Sequence, residues 1–82
     1  MRIALLYFAA VRELVGIDEE RVDLPEDGVT VGDLAAFVER RHPALEGRLA
    51  SVRFARNETF ATNDETLADG DVVALIPPVA GG

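Results

Sequence analysis

The two most apolar segments of this chain lie at opposite ends of its sequence, and they constrain the fold more than any other feature. "RIALLYF" spans residues 2–8 and "VVALI" spans residues 72–76. A short apolar run rich in strand formers is typical of a buried strand, and the first run predicts a strand buried on both faces. Because buried strands belong at the centre of a sheet, the two runs together predict the central pair of a mixed sheet.

A helix is predicted between them. Thr30 and Asp33 have the spacing of a capping box, with Asp in place of the usual Glu. Pro43 limits the helix to about Arg41, because proline cannot continue a helix. The apolar positions fall at i, i+3, i+4 and i+7, which is one stripe of a helix: Val31, Leu34, Ala35 and Val38.

The remaining segments complete a strand, strand, helix, hairpin, strand order. "AAVRELVG" predicts a two-turn helix ended by Gly16, and "ERVDLP" alternates like a half-buried strand. "SVRFARNETFA" predicts a hairpin that turns near Asn57 and Glu58. This order predicts one α+β domain over residues 1–76, with the main helix packed across one sheet face, and a tail over residues 77–82.

Composition narrows the possible functions. The chain has 82 residues, a net charge of -7, 15 acidic residues and no cysteine. An acidic surface repels phosphate backbones, so nucleic acid is not expected as a partner. Without cysteine there is neither a disulfide framework nor a thiolate site.

No segment resembles a signal peptide or a membrane span, which predicts a cytoplasmic protein with no membrane contact. All 8 basic residues are arginine, so no lysine side chain can accept an isopeptide bond.

The segment "PPVAGG" that follows the last strand has unusual chemistry. Pro77 and Pro78 have no N–H to donate and favour a stiff, extended exit from the sheet. The remaining residues, Val79, Ala80, Gly81 and Gly82, reach about 13 Å when extended and make a thin, uncharged tip that suits a tunnel. The reactive group of such a tip is the Gly82 carboxylate, which becomes an acyl donor only after activation with ATP. The alternative is a frayed end without function.

Two stretches carry a family resemblance. "DGDVVALIPPVAGG" and "LYFAAVRELVG" resemble the C-terminal signature and the first strand and helix of the MoaD family, the small sulfur carrier subunit of molybdopterin synthase. The resemblance implies the β-grasp, ubiquitin-like fold, in agreement with the predicted element order.

The resemblance also implies a mechanism. A MoeB-like, E1-like enzyme would use ATP to adenylate Gly82, and sulfur would then replace AMP to leave a thiocarboxylate. The tail, Pro77 to Gly81, would insert into a MoaE-like large subunit within a heterotetramer. The sulfur would pass to cyclic pyranopterin monophosphate and form the dithiolene of molybdopterin. The chain itself would be a non-catalytic subunit that binds neither cofactor nor metal.

A docking surface follows from the same resemblance. It would comprise Phe8, Phe60 and Ile76 near the tail, with Arg12 contacting a partner carboxylate. Judged by residue type alone, an aromatic in a strand of a small protein is more often a core residue than an interface residue. An arginine on a helix is more often solvated than in contact with a partner. Arg56 departs from the family, which often has an apolar residue at that position.

Other functions remain open at this stage. Related carriers with diglycine tails serve thiamine, cysteine or tRNA thiolation, and a ubiquitin-like modifier or a passive interaction domain would also fit the fold. His42 is the single histidine and follows two arginines at a helix end, where it is expected to stabilise the helix terminus or face solvent.

Overall fold

The structure, a computed structural model, describes residues 1–25 and 27–78. Within these residues the chain forms five strands, two α-helices and two short 3-10 turns. In chain order the strands and helices are β1 Arg2–Tyr7, α1 Ala9–Val15, β2 Glu19–Asp23, α2 Val31–Arg41, β3 Arg53–Arg56, β4 Thr59–Ala61 and β5 Val72–Ile76. The 3-10 turns are Pro43–Leu45 and Leu49–Ser51.

The five strands form one mixed sheet in the order β2-β1-β5-β3-β4. β1 and β5 pair in parallel, with Leu5 opposite Val73, and the other pairs are antiparallel. The prediction that the two apolar end segments pair at the centre of the sheet is therefore confirmed. The α+β, ubiquitin-like β-grasp arrangement is confirmed as well.

Helix α2 begins and ends where the sequence predicted. The Thr30 side chain accepts from the Asp33 N–H at 3.1 Å, and the Asp33 carboxylate accepts from the Thr30 N–H at 3.0 Å. Such a cap stabilises a helix by about 1 kcal/mol. The buried stripe Val31, Leu34 and Val38 lies in one hydrophobic cluster with the strands.

The prediction that β1 is buried on both faces is wrong. Ile3, Leu5 and Tyr7 are at most 2% exposed, whereas Ala4 and Leu6 are only half-buried. Alternate residues of a strand point to opposite faces, and the core covers one face only. The other face of the central strands is open.

The hairpin between β3 and β4 has a two-residue turn. Arg56 pairs with Thr59, and both turn residues have a positive φ, 49° at Asn57 and 71° at Glu58. Two consecutive left-handed residues define the turn type that matches the twist of a hairpin. The turn therefore lies where the sequence predicted it.

A polar cluster joins β1, β2 and the end of α2. The Glu20 carboxylate accepts from the Tyr7 hydroxyl at 2.5 Å and from Arg41 Nε at 2.8 Å, and it contacts His42 Nε2 at 2.5 Å. Burial raises the pKa of the Glu20 carboxyl, but these hydrogen bonds outweigh burial, so the net pKa lies below its ordinary value. Burial, and then the bond to Glu20, raise the pKa of Tyr7. His42 ends α2, as predicted, but its ring is held by Glu20 and is mostly buried.

Candidate functional site

The open face of the sheet carries an apolar groove of about 550 Å³, which we call the sheet groove. It forms because Leu6 of β1, the residues of β5 that alternate with the core positions and Ala55 of β3 are small or apolar, and no helix covers them. Its lining consists of Leu6, Phe8, Ala55, Asn57, Glu58, Phe60, Val72, Ala74 and Ile76. An exposed apolar concavity on a small protein is typical of an interaction surface.

Three of the four predicted docking residues lie together in this groove. The side chains of Phe60 and Phe8 are the most exposed of the large apolar residues described, at 51% and 44%, and Ile76 is half-buried beside them. Phe60 is therefore not a core residue. Arg12 lies on α1, where its Nε is 3.9 Å from an Asp18 carboxylate oxygen, and it does not line the groove. A docking role for each of these residues stays a prediction.

Asp71 holds the hairpin turn against the start of β5 and so fixes one wall of the groove. Its carboxylate accepts from Arg56 Nε at 2.7 Å, from Asn57 Nδ2 at 2.9 Å and from the Ala68 N–H at 2.8 Å. Burial raises the pKa of this carboxyl, but the three hydrogen bonds outweigh it and bring the net pKa below the ordinary value. The arginine at position 56, which departs from the family pattern, is thus the ion-pair partner of Asp71.

Sequence reasoning missed Arg53, which lies against Phe60. The Arg53 guanidinium carbon is 3.6 Å from the centroid of the Phe60 ring, a cation–π contact. Alternation along β3 places Arg53 and Ala55 on the open face, and Ala55 pairs with Phe60 on the neighbouring strand. The register of the β3–β4 hairpin sets the pairing of Ala55 with Phe60. A prediction of that register from the sequence could therefore have identified the contact between Arg53 and Phe60.

The tail begins at the rim of the sheet groove. Ile76 is the last residue of β5 and pairs with Arg53, so both lie at the end of the sheet from which the tail departs. Pro77 and Pro78 line a second groove of about 340 Å³, together with α1 residues, Leu45 and the segment 47–52. The predicted tail residues Val79, Ala80, Gly81 and Gly82 lie outside the described residues.

The residues described form an interaction surface that reaches the last residue before the two prolines. The two carboxylates with lowered pKa values and substantial burial, Glu20 and Asp71, are both engaged in structural hydrogen bonds. Among residues 1–25 and 27–78, no helix has the length and apolar character that crossing a bilayer requires. The chemistry available to this arrangement is protein docking and presentation of the tail.

Comparison with known proteins agrees with this description. A solved structure, SAMP1 from Haloferax volcanii, is 34% identical and covers all of both chains with a TM-score of 0.91. The fold thus places the chain among the small ubiquitin-like β-grasp proteins. The sequence pattern of the ThiS family matches residues 5–82, and the chain belongs to that family.

Curated relatives refine this assignment. The molybdopterin synthase sulfur carrier subunit of Chlamydomonas reinhardtii is 42% identical, with all of both chains covered. The subunit of the same name from Escherichia coli K12 is 45% identical over 98% of this chain and 99% of its own length. The resemblance to the MoaD family is therefore confirmed. Small archaeal modifier protein 1 of Haloferax volcanii is also similar, at 39% identity over 92% of this chain and 94% of its own.

Proposed function

We propose that this protein is the sulfur carrier subunit of molybdopterin synthase. The Gly82 carboxylate attacks the α-phosphate of ATP in a MoeB-like activating enzyme, and pyrophosphate leaves. A sulfur donor then displaces AMP from the acyl adenylate and leaves a thiocarboxylate on Gly82. The protein donates this sulfur to cyclic pyranopterin monophosphate within a heterotetramer with a MoaE-like large subunit, and two such transfers form the dithiolene.

The observation that carries this proposal is the position of the sheet groove. The groove extends to Ile76, the residue directly before the two prolines, so a partner that covers it would also meet the base of the tail. The folded domain and the tail would have separate roles. The domain would supply binding affinity through the groove, and the tail would supply the reacting carboxylate. Relatives named as subunits of molybdopterin synthase support a large-subunit partner. Because molybdopterin synthase carriers act with these soluble partners, we also propose that the protein is located in the cytoplasm.

The intact mass of the protein tests the proposal. The chain is incubated with a candidate activating enzyme, ATP and a sulfur donor, and exchange of one oxygen for one sulfur is expected on Gly82. A variant lacking Gly82 is the control and is expected to remain unchanged. Transfer is then measured as pyranopterin consumed in the presence of the large subunit. No exchange with an enzyme proven active on another carrier would refute the proposal.

A second candidate function is attachment to other proteins as a modifier. The similarity to small archaeal modifier protein 1 favours it, since a shared fold and tail can serve either chemistry. Because the chain has no lysine, such attachment cannot build chains through its own lysine side chains. Isopeptide-linked conjugates that appear in cell extracts with the wild-type chain and vanish without Gly82 would support this function.

A further inference from the structure

We infer that Arg53, stacked on Phe60, is a specificity-determining docking residue that pairs with a carboxylate of the large subunit beside the base of the tail. This inference rests on the proposed function. It adds a cationic and directional contact to a surface that is mostly apolar.

The position of Arg53 is the first argument. Arg53 begins β3 and pairs with Ile76, and its guanidinium lies over the Phe60 ring. It therefore stands between two residues of the sheet groove, at the end from which the tail departs. A partner that covers Phe60 and Ile76 cannot avoid the guanidinium.

The orientation of the guanidinium is the second argument. With its central carbon 3.6 Å from the ring centroid, the group uses its π face on Phe60. The N–H donors of a guanidinium lie in its plane and at its edge, so stacking leaves them free for a planar, two-bond contact with a carboxylate. Stacking also restrains a long side chain before binding, which reduces the entropy lost when the partner docks.

The charge of Arg53 is the third argument. In the part of the chain that the structure describes, no carboxylate lies within 4.0 Å of its guanidinium. Four arginines have such partners, in the pairs Arg2–Asp23, Arg12–Asp18, Arg41–Glu20 and Arg56–Asp71. Of the arginines described without one, Arg53 is the one that lies over an aromatic ring. In a chain of net charge -7, an exposed arginine held in place without an acidic neighbour complements an acidic group on a partner.

The test is the dissociation constant for the large subunit of the same organism, measured with the full chain by calorimetry at low and high salt. Arg53→Gln is expected to weaken binding about tenfold or more, with a shallower salt dependence. Arg53→Lys is expected to restore only part of the affinity, because the ammonium lacks the fork geometry. The matched control is Arg40→Gln, on the exposed side of α2, which is expected to change affinity by less than about twofold.

A double-mutant cycle tests the stacking. Phe60→Leu keeps an apolar side chain and removes the ring, so Arg53→Gln should cost less affinity in that background than in wild type. Binding by Arg53→Gln within about threefold of wild type, or additive effects in the cycle, would overturn the inference. If wild type loads sulfur and binds the large subunit while Arg53→Gln is unaffected, the inference alone fails. If wild type binds no large subunit, the proposed function fails with it.

Discussion

Replacing Glu20 by Gln should destabilise the protein, although position 20 lies far from the sheet groove. Glu20 joins three segments, because its carboxylate meets Tyr7 on β1, Arg41 at the end of α2 and His42 just after it. Gln keeps the size and shape of the side chain and removes the charge. It also replaces one accepting oxygen with a donating NH₂, which faces groups that are themselves donors.

The magnitude follows from burial and from the partners. The Glu20 side chain is 11% exposed, and a hydrogen bond to a charged group contributes about 1.5–3 kcal/mol. The Arg41 side chain is 46% exposed and is partly screened by water, so its share is small. We expect a loss of about 2–3 kcal/mol in the free energy of unfolding, which corresponds to about 10–20 °C in Tm for a domain of this size.

The dependence on pH gives the sharper assay. The pKa of Glu20 is lower in the folded state than its ordinary value. Its contribution to stability is therefore fully present above the unfolded pKa, near 4.3, and is lost as the pH falls through the folded pKa. Urea unfolding of both proteins should give a difference that is largest at neutral pH and that shrinks below about pH 4.

Glu19→Gln is the matched control, since Glu19 is the exposed neighbour on the same strand. It should change stability by less than about 0.5 kcal/mol. A loss below about 1 kcal/mol for Glu20→Gln would refute the reasoning. A loss that stays constant between pH 7 and pH 3 would refute it equally, because the charge would then not be the cause.

Three further predictions concern the sheet groove. Phe60→Asp should weaken binding of the large subunit in calorimetry and cost less than about 1 kcal/mol of folding stability, because the ring is exposed; an unfolded variant would show that Phe60 supports the core. Asp71→Asn should lower the free energy of urea unfolding by about 1.5–3 kcal/mol, because its carboxylate accepts three hydrogen bonds; a loss below about 0.5 kcal/mol would contradict this role. Glu58→Gly should raise Tm by an amount equivalent to about 0.5–1 kcal/mol, because glycine adopts the φ of 71° without strain; an equal gain from Glu58→Ala would contradict that explanation.

Local chemistry was sufficient to predict the elements of the fold. Thr30 and Asp33 identified the start of α2, Gly16 marked the end of α1, and Asn57 and Glu58 marked the hairpin turn. Each signal depends on hydrogen bonds or backbone angles within a few residues, so the sequence carries it without tertiary context. The failed expectation, burial of both faces of β1, concerned packing against the whole domain.

The candidate site was predictable only in part. The aromatic and aliphatic docking residues were named through a family resemblance, and the groove that unites them depends on the pairing of β1, β5, β3 and β4. Arg53 was not named, because nothing near it in sequence marks it as different from the other exposed arginines. Its contact with Phe60 exists only once the hairpin register is formed.

The sequence by itself determined the strand and helix segments, the acidic net charge, the absence of cysteine and lysine, and the residue types of the proline and diglycine segment. These properties follow from residue type and short-range spacing. Only the tertiary structure decided which sheet face stays open and that Phe8, Phe60 and Ile76 lie together on it. It also decided that the Glu20 carboxylate contacts Tyr7, Arg41 and His42. The reason is that strand pairing and helix packing bring together residues separated by many positions, and the free energy of those contacts depends on burial that no short window of sequence contains.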